Sequence, residues 1–453
     1  MDRQERRHGK ANAAQRAAQR AAERRRSHIN DPVPEKWTIW NMWVFKKNLP
    51  FDWGVIIFTV GLMLFGALMV LSASSYEMGS TGSGDAMSEF ATQVTCIIIG
   101  CIVFFFAANL DYRWLNQSKL VFIGIAASFI SLAIVFLMPR LPFLNNLKLF
   151  IWVPKINDAY RWIHIGFKRT IFSIQPTEIV KVAVILYLAY YITHNEKTMH
   201  LFFRNNFRAL AVVGILVGFI VIQPNLSTAS LIVFVTIIML MVGGMRWRTF
   251  FMLVALGVAA LIALAYITPG RWERITSFTK PWTEENIRGD GYQLVQSYYA
   301  LGNGGWFGTT LGLSKQKHLF LPYAYSDFIY AIVGEELGWV GGCTVLLAFL
   351  ALIWFGLRIA INAYDKFGCY LALGLTSILA IQVILNIFVV TGMMPTTGIP
   401  LPFFTAGGTT MVIFLGTMGL LVSVSRRPAP KKEGVVPPKV HEVSRRIYKN
   451  QDR

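Results

Sequence analysis

Charged residues are scarce in this chain of 453 residues, because Asp, Glu, Lys and Arg together make up only 15% of it. An ordinary soluble domain carries about 25% charged residues, and its apolar residues are spread at helix or strand periodicity. Here apolar residues account for 54% of the chain and are gathered in long runs that hold almost no charge. This pattern excludes an ordinary soluble enzyme and indicates a membrane protein.

Acidic residues are the scarcer of the two charged classes: 24 Asp and Glu stand against 43 Lys and Arg, which gives a net charge of +19. Residues 1–30 and 425–453 each hold nine basic and three acidic residues, so these two ends carry +12 of that excess. Because the basic residues are not spread over a folded surface, we expect no nucleic-acid partner. The composition predicts disordered, basic cytoplasmic tails at residues 1–48 and 426–453.

Cysteine is also rare, with four in the whole chain. All of them lie within or at the edge of apolar runs, and none falls in a loop where oxidation outside the cell could pair it. Their spacing matches neither a disulfide framework nor a metal site. We therefore interpret them as small core residues. They are Cys96, Cys101, Cys343 and Cys369.

What the chain has in quantity is apolar runs of membrane-spanning length. A helix needs about 20 apolar residues to cross a hydrocarbon core of about 30 Å. The runs predict an all-α polytopic membrane protein with about ten transmembrane helices, contained in a membrane domain at residues 49–425. The fifth run is short, and the eighth is interrupted by Glu335 and Glu336. The runs are centred near residues 54–74, 92–110, 119–138, 177–193, 208–222, 228–245, 249–268, 328–357, 367–391 and 405–424.

The basic residues of the loops predict the orientation of the chain in the membrane. The basic first tail predicts a cytoplasmic start, and ten crossings return the second tail to the same side, so we expect both termini in the cytoplasm. Loop 75–89 holds no basic residue and is expected outside. Loop 140–172 is also expected outside, although it holds six Lys and Arg residues. Segment 270–327 is predicted to form one large extracellular loop.

Polar side chains at or near membrane depth mark candidate functional positions. The stretch from Gln175 to Lys181 begins a predicted helix at Pro176 and sets Glu178 three residues before Lys181, on one helical face where the two can pair. Such a pair suits a helix-packing role as well as a functional one. Arg161 precedes this stretch, and its guanidinium presents paired donors that fit a phosphate group. Interfacial snorkelling of Arg161 is the alternative interpretation.

Residues 270–327 form a segment too long for a plain connection between helices. It gathers three carboxylates, Glu284, Glu285 and Asp290, with cations close to them in sequence. A carboxylate beside cations is what a general base needs when it activates a hydroxyl next to an anionic leaving group. A solvated loop tip is the alternative interpretation of the same residues.

Two further stretches interrupt the helical pattern. Residues 223–229 predict a tight reversal that ends in a helix cap. Residues 394–410 are apolar, but three prolines within eight residues forbid a regular helix. Such a segment is tolerated at membrane depth only where protein covers it or where it lines a cavity. We expect a re-entrant loop that closes a lipid-facing groove, with Gly407 and Gly408 permitting close backbone approach, and a plain connector is the alternative.

Together these stretches resemble the SEDS family, the shape, elongation, division and sporulation proteins of bacteria with their FtsW, RodA and SpoVE branches. The resemblance covers nearly all of residues 50–425. GYQLVQS and GNGGWFGTTLGLSKQK are closer to the FtsW sequence pattern, and GIPLPF is nearer to the RodA pattern. The matching pieces, in the family's order, are RWIHIG, QPTEIVK, QPNLSTA, GYQLVQSYYALGNGGWFG, LPYAYSDFIYAIVGEELG and MPTTGIPLPFFTAGGTT.

The resemblance implies a ten-span glycosyltransferase that polymerises lipid II outside the bacterial cytoplasmic membrane, at the division septum for an FtsW-type member. The 4-hydroxyl of one disaccharide-pentapeptide attacks the anomeric carbon of another, undecaprenyl pyrophosphate leaves, and the anomeric configuration inverts. The implied partners are a class B penicillin-binding transpeptidase, other division or elongation proteins and membrane lipid. A divalent cation, Mg or Mn, would assist the leaving pyrophosphate, although no ligand cluster in the sequence requires one.

The family's catalytic Asp lies in a pattern resembling PW-x-D-P-x-x-x-GY, and this chain departs from that pattern. The interval before Gly291 is longer and holds no Asp-Pro pair. Counting back from Gly291 reaches Asn286 or, with one inserted residue, Glu285. We predict Asp290 or Glu285 as the general base, with Glu284 as the third candidate.

Other positions match the family's polar positions more directly. Arg161 and Lys317 are expected to contact the pyrophosphate, and Asp327 is expected to organise the helices around the cavity. The stretch Pro395–Gly408 is expected to shape a groove for the polyprenyl tail. The predicted substrate-binding residues are Arg161, Glu178, Lys181, Lys317, Asp327, Pro395, Gly407 and Gly408.

Two other functions fit the same sequence. A transporter that flips lipid II across the bilayer would use the same cations and groove but would need no base. A division scaffold without activity would explain the missing Asp-Pro pair. The polar residues gather in one outer segment and not along a path through the membrane, which favours chemistry over transport.

Overall fold

The computed structural model describes Thr38 and residues 42–44, 49, 51–80, 85–140, 151–156, 159–167, 170–201, 206–267, 271–289, 291–318, 320–321, 325–405 and 408–427. Predictions that concern other positions lie outside the described residues. They include most of the two basic tails, the predicted base Asp290 and the predicted groove residue Gly407.

Every apolar run that we predicted as a membrane span forms a helix. In the described part of the chain, seven helices are long and apolar enough to cross a membrane, and three further apolar helices are shorter. The mostly helical, multi-span architecture is therefore confirmed, whereas the number of crossings and the side of the termini stay predictions. The described α-helices are α1 (Trp53–Ser80), α2 (Asp85–Asn109), α3 (Ser118–Leu137), α4 (Pro176–Asn195), α5 (Phe207–Ile222), α6 (Leu226–Val242), α7 (Trp247–Ile267), α8 (Arg271–Thr279), α9 (Glu284–Arg288), α10 (Tyr292–Gly304), α11 (Ile329–Ile361), α12 (Lys366–Val390) and α13 (Gly408–Ser425).

The core of the helix bundle is built around α12, which is buried along most of its length. Helix α12 packs against α4, α6 and α11, while α13 lies along α2. A Cβ placed on Gly419 of α13 would lie 2.5 Å from the carbonyl oxygen of Phe104 in α2, so this close approach requires glycine. Small residues at helix interfaces are how membrane helices pack tightly, because lipid supplies no hydrophobic force between them.

Large apolar side chains cover the outside of the bundle. Phe122 is 74% exposed, Leu256 64% and Trp354 68%. An apolar surface of this extent is a liability in water, and it fits a hydrocarbon environment. The four cysteines are free; Cys96 is buried, but Cys101 is exposed on this surface. The interpretation of all four cysteines as core residues is therefore wrong for Cys101.

Residues 151–174 form two small antiparallel sheets, which the all-α prediction missed. One sheet has the strand order β1-β4-β5, and the other pairs β2 with β3. The Ile, Phe and Thr residues of this stretch favour extended chain, and its polar residues keep it from spanning a membrane as a helix. The all-α fold class is corrected here to a helical bundle with a small β-insertion. The strands are β1 (Ile151–Trp152), β2 (Lys155–Ile156), β3 (Ala159–Tyr160), β4 (Ile163–Phe167) and β5 (Thr170–Ile174).

The predicted outer segment 270–327 contains the three short helices α8, α9 and α10, and its later part packs into a break in α11. The break lies at Gly338, whose φ of 67° and ψ of −169° are not helical. The N–H of Thr309 donates to the carbonyl of Glu335 at 3.0 Å, and the N–H of Trp339 donates to that of Gly305 at 2.8 Å. The segment thus supplies backbone partners that the broken helix lacks.

The segment between α12 and α13 is not helical in its described part, as its prolines predicted. Leu401, Phe403 and Phe404 are buried. The ring of Phe404 lies 5.7 Å from that of Phe65 in α1 and 5.8 Å from that of Phe349 in α11. Protein therefore covers this irregular stretch, which is the condition under which such backbone is tolerated at membrane depth.

Candidate functional site

A cavity of about 530 Å³ lies where the β-insertion, α4, α6, α8, α10, α12 and the irregular segment before α13 meet. Its walls combine charged and amide side chains from elements that are far apart in sequence. The cavity therefore unites several stretches that the sequence marked separately. The charged and amide side chains in its lining are Arg161, Gln175, Glu178, Lys181, Asn225, Arg274, Gln293, Asp327 and Gln382.

The predicted ion pair between Glu178 and Lys181 is formed at the start of α4. Pro176 occupies the first turn, where its missing N–H costs nothing. The Lys181 ammonium lies 2.8 Å from Glu178 Oε1, and both side chains are about 4–5% exposed. The other carboxylate oxygen, Glu178 Oε2, is buried without a hydrogen-bond partner among the described residues. A buried acceptor that lacks a donor at a cavity wall is a position where a ligand's hydroxyl or amide could bind.

Arg161 lies between β3 and β4 and lines the cavity beside the reversal between α5 and α6. Its Nη2 donates to the carbonyl oxygen of Pro224 at 2.6 Å. The reversal itself is capped as predicted, since Asn225 Oδ1 accepts from the N–H of Thr228 at 3.3 Å. These contacts fix a guanidinium at the cavity wall, where it is suited to bind an anion.

Gln382 of α12 is a buried cavity residue that the sequence reasoning missed. Its Oε1 accepts from the Lys181 ammonium at 3.2 Å, and its Nε2 donates to the carbonyl of Pro400 at 2.9 Å. The Gln382 side chain therefore links the Lys181 ammonium of α4 to the irregular segment before α13. Without it, the ammonium and the Pro400 carbonyl would each lose a buried partner.

Asn386, one turn further along α12, was also missed and is 1% exposed. Its Nδ2 donates to the carbonyl oxygens of Asp327 and Ile399, each at 2.8 Å. This amide joins the beginning of α11 to the irregular segment. Two amides four residues apart on one face of an apolar span were the available signal, because such residues are costly in lipid unless they have partners.

Asp327 lies just before α11 and faces the cavity together with Ser326. The Ser326 hydroxyl donates to Asp327 Oδ1 at 2.8 Å. Burial raises the pKa of the Asp327 carboxyl above its ordinary value, and the Ser326 hydroxyl and the Arg274 charge counteract only part of that effect. The sequence predicted that Asp327 organises the helices around the cavity and belongs to the substrate-binding residues; the structure places this residue in the cavity wall.

Lys317 does not line the cavity. Its ammonium lies 3.0 Å from Glu336 Oε1 and donates to the hydroxyl of Ser72 in α1 at 3.2 Å. The neighbouring Glu335 accepts from the N–H of Lys315 at 3.0 Å and from the Ser314 hydroxyl. We name Ser72, Ser314, Lys317, Glu335 and Glu336 the sealed cluster, because each of these residues bonds to at least one other of them. Contact between Lys317 and a pyrophosphate stays a prediction. The buried contacts of Lys317 with Glu336 and Ser72 argue against it.

The predicted bases Glu284 and Glu285 form the first turn of the short helix α9, and both are exposed. Neither is among the residues that line the cavity, whereas Gly289, directly after α9, is. Asp290 follows Gly289 and lies outside the described residues. The choice among the three carboxylates therefore stays a prediction.

The predicted groove residues Pro395 and Gly408 do not line the cavity. Pro395 precedes the cavity-lining residues 396–400 without being one of them. Gly408 begins α13, and a Cβ placed on it would lie 2.8 Å from Cys96 Sγ of α2, so a larger residue would displace that side chain. Gly398, in the cavity wall, has a φ of 67°, the left-handed region that favours glycine.

Among the residues that the structure describes, no group of three or more His, Cys, Asp or Glu side chains is arranged to hold a metal ion. The cavity offers the carboxylates Glu178 and Asp327, and Glu178 is already paired with Lys181. These residues do not form a metal site by themselves, so a divalent cation stays a prediction.

Comparison with known proteins places this architecture. The family model for cell cycle proteins of the FtsW/RodA/SpoVE type matches residues 53–429. The chain belongs to this family. It is 38% identical to stage V sporulation protein E of Bacillus subtilis, over 84% of this chain and 98% of that protein. It is 33% identical to a probable peptidoglycan glycosyltransferase FtsW of Geobacter metallireducens, again over 84% of this chain and 98% of that protein.

Solved structures show the same fold. A chain from a peptidoglycan synthase complex, described for its structural coordination of polymerization and crosslinking, matches with a TM-score of 0.64 at 22% identity, over 83% of this chain and 98% of that one. The rod shape determining protein RodA of Thermus thermophilus matches with a TM-score of 0.58 at 22% identity, over 84% of this chain and 98% of that one. The multi-span helical architecture of this chain is thus the architecture of its family.

Proposed function

We propose that this chain is a peptidoglycan glycosyltransferase that polymerises lipid II into glycan strands and releases undecaprenyl pyrophosphate. Membership of the FtsW/RodA/SpoVE family supports the proposal, as does the similarity to relatives named probable peptidoglycan glycosyltransferase FtsW. The observation that carries it is the cavity in which Arg161, Lys181 and Arg274 converge beside two carboxylates. A pyrophosphate-linked sugar needs this combination of positive charge and proton acceptor.

The proposed reaction is a displacement at the anomeric carbon. The 4-hydroxyl oxygen of one disaccharide forms a bond to the anomeric carbon of another, the bond from that carbon to the pyrophosphate oxygen breaks, and the configuration inverts. Negative charge grows on the departing pyrophosphate, so cations fixed at the cavity wall stabilise the transition state more than the ground state. Arg161 and Lys181 serve this purpose, since contacts to Pro224 and Gln382 hold them in place.

A carboxylate must accept the proton of the attacking hydroxyl. The sequence nominates Asp290, Glu285 and Glu284 for this role. Asp290 is the first of them to test, because it directly follows the cavity-lining Gly289, while Glu284 and Glu285 are exposed on α9.

The proposal extends to location and partner. The chain works as a multi-pass protein of the bacterial cytoplasmic membrane, with its termini in the cytoplasm, the cavity toward the outside and the division septum as its site of action. Its partner is a class B penicillin-binding transpeptidase, which would crosslink the strands that this chain makes. The fold shared with a chain of a peptidoglycan synthase complex supports this pairing.

The test is synthesis of glycan strands from purified lipid II in detergent, with and without the partner transpeptidase. Wild type is expected to give strands, and Asp290→Asn, Glu285→Gln and Glu284→Gln are assayed singly and combined. Wild type that yields no strands with the partner present would refute the proposal. Labelled lipid II that equilibrates across vesicles without forming strands would favour a flippase, and neither activity would favour a scaffold.

A further inference from the structure

Glu178 and Thr397 each contribute an unpaired polar atom to the wall of the cavity. Glu178 Oε2 and Thr397 Oγ1 are buried and have no hydrogen-bond partner among the described residues, although both residues line the cavity. The carboxylate oxygen can only accept a hydrogen bond, whereas the hydroxyl can donate one. Buried polar atoms are normally paired, so an unpaired acceptor and an unpaired donor in one cavity indicate a ligand that carries both a donor and an acceptor.

The Glu178 carboxylate is held in place through its other oxygen. The Lys181 ammonium lies 2.8 Å from Glu178 Oε1, and it also donates to Gln382 Oε1 at 3.2 Å. An ammonium has three N–H donors, so these two contacts leave one donor for a ligand. The ion pair thus presents an acceptor and a cationic donor side by side at the cavity wall.

Thr397 is held in place by contacts on both sides of it in the irregular segment before α13. Its own carbonyl oxygen accepts from the hydroxyl of Ser227 in α6 at 2.6 Å, and the Pro400 carbonyl accepts from Gln382 Nε2 at 2.9 Å. Because Gln382 also bonds to Lys181, it joins the two walls on which the unpaired atoms lie. Polar groups that are fixed in this way select a ligand by spacing as well as by charge.

A secondary amide offers the required donor and acceptor in one group. Each sugar of lipid II carries a 2-acetamido group, which has one N–H donor and one carbonyl acceptor. On the sugar that is linked to the pyrophosphate, this group is attached to the ring carbon next to the anomeric carbon. The proposed function assigns the pyrophosphate to Lys181, and Glu178 is the direct neighbour of that cation. The adjacent cation and carboxylate therefore match the adjacent pyrophosphate and acetamido group of one sugar.

We propose that Glu178 and Thr397 form a subsite for the 2-acetamido group of the sugar that carries the pyrophosphate; this inference rests on the proposed function. The acetamido N–H donates to Glu178 Oε2, and the acetamido carbonyl accepts from the Thr397 hydroxyl. The remaining N–H donor of Lys181 is then directed to the pyrophosphate. A sugar with a hydroxyl in place of the acetamido group satisfies Glu178 but has no carbonyl for Thr397, so the subsite selects N-acetylated sugars.

The test compares the binding of lipid II with that of an analogue in which an ester oxygen replaces the acetamido nitrogen on the sugar that carries the pyrophosphate. The analogue keeps the carbonyl but lacks the N–H, so it leaves Glu178 Oε2 unpaired. Each compound displaces fluorescent lipid II from the full chain in detergent, which measures affinity without requiring turnover. Wild type is expected to bind the analogue about 10–150-fold more weakly than lipid II, as the loss of a hydrogen bond to a charged group does.

Three variants separate the subsite from a general loss of binding. Glu178→Met removes the acceptor, so the two affinities should differ by less than about 2-fold. Thr397→Val keeps the shape but removes the hydroxyl; it should weaken lipid II binding by about 2–12-fold and retain the preference over the analogue. Lys181→Met is the matched control from the same ion pair. It should weaken the binding of both compounds and leave their ratio at the wild-type value.

The ratio of the two affinities does not depend on how much of a variant is folded, and wild type with Thr397→Val decides the question if Glu178→Met does not fold. Equal binding of both compounds by wild type would overturn the subsite, as would an unchanged ratio in Glu178→Met or unchanged lipid II binding in Thr397→Val. Wild type that makes strands without preferring lipid II over the analogue overturns the subsite alone. Wild type that shows the preference but makes no strands overturns polymerisation and upholds the subsite.

Discussion

The cavity and the sealed cluster each contain a buried ion pair between a lysine and a glutamate, but the two pairs are bonded differently. In the cavity, the Glu178–Lys181 pair leaves Glu178 Oε2 without a partner. In the sealed cluster, Lys317 is bonded to both Glu336 and Ser72. A buried charge costs free energy until its bonds are satisfied. Closed bonding therefore marks a structural role, whereas an unsatisfied acceptor at a cavity wall marks a site for a ligand.

The largest effect is expected in the sealed cluster. Lys317→Ala leaves the Glu336 carboxylate buried without its cation, which costs about 3–5 kcal/mol of unfolding free energy. The measurement is the melting temperature in detergent. Lys317→Met combined with Glu336→Leu removes both charges and should recover most of the loss. A single mutant that is as stable as wild type but inactive would instead assign Lys317 to the substrate.

Loss of the cavity cation Lys181 should lower activity more than stability. Lys181→Met removes a charged hydrogen-bond donor to the ligand, worth about 1.5–3 kcal/mol, so kcat/KM for lipid II should fall by about 10–150-fold. Labelled lipid II binding in detergent should weaken by a similar factor. Glu178 lines the cavity, whereas Glu336 is fully buried, so the melting temperature should fall less than in Lys317→Ala. Equal stability losses in both variants would remove the distinction between the two regions.

An intermediate effect is expected from the amide that ties the cavity walls together. Asn386→Ala removes the bonds to Asp327 and Ile399, at about 0.5–1.5 kcal/mol for each. The expected result is lower stability together with a reduced kcat, because the cavity loses its fixed geometry. Asn386→Asp has nearly the same shape but no N–H donors for the carbonyl groups of Asp327 and Ile399, so it serves as the matched control. A variant that loses stability at unchanged kcat would show that Asn386 only packs.

The smallest effect is expected far from both regions. Asp365 caps α12, and its Oδ1 accepts from the N–H of Gly368 at 2.6 Å. Asp365→Ala should cost about 1 kcal/mol of stability, as the loss of a helix cap does, with kcat for polymerisation unchanged. A fall in kcat of more than about 3-fold would show that polymerisation is sensitive to general destabilisation. The kcat values of the other variants would then have to be corrected for their loss of stability.

Much of the fold could be predicted from the sequence, because hydropathy and the residues that begin or end a helix are local signals. The apolar runs located the long helices, and Pro176 with the spacing of Glu178 and Lys181 predicted the ion pair correctly. The prolines after α12 predicted an irregular, covered segment. Each of these depends on residues that are near one another in the chain.

The remainder depends on contacts between distant elements. The spacing of Gln382 and Asn386 signals that the two amides have partners, but nothing near them in the sequence identifies these partners as the Pro400 and Ile399 carbonyls. Lys317 looked like a free cation because its partner lies 19 residues away on another element. The strands at 151–174 were missed for a related reason, since short β-pairs are fixed by their partners more than by composition.

Polymerisation of lipid II by this chain can be measured in reconstituted vesicles. Fluorescent lipid II is incorporated into vesicles that hold wild-type chain and its partner transpeptidase, and both glycan strands and transbilayer movement are measured in the same sample. Polymerising activity predicts strands that lengthen with time and are reduced at least 10-fold in Lys181→Met. Transbilayer movement of lipid II without any strands would contradict it.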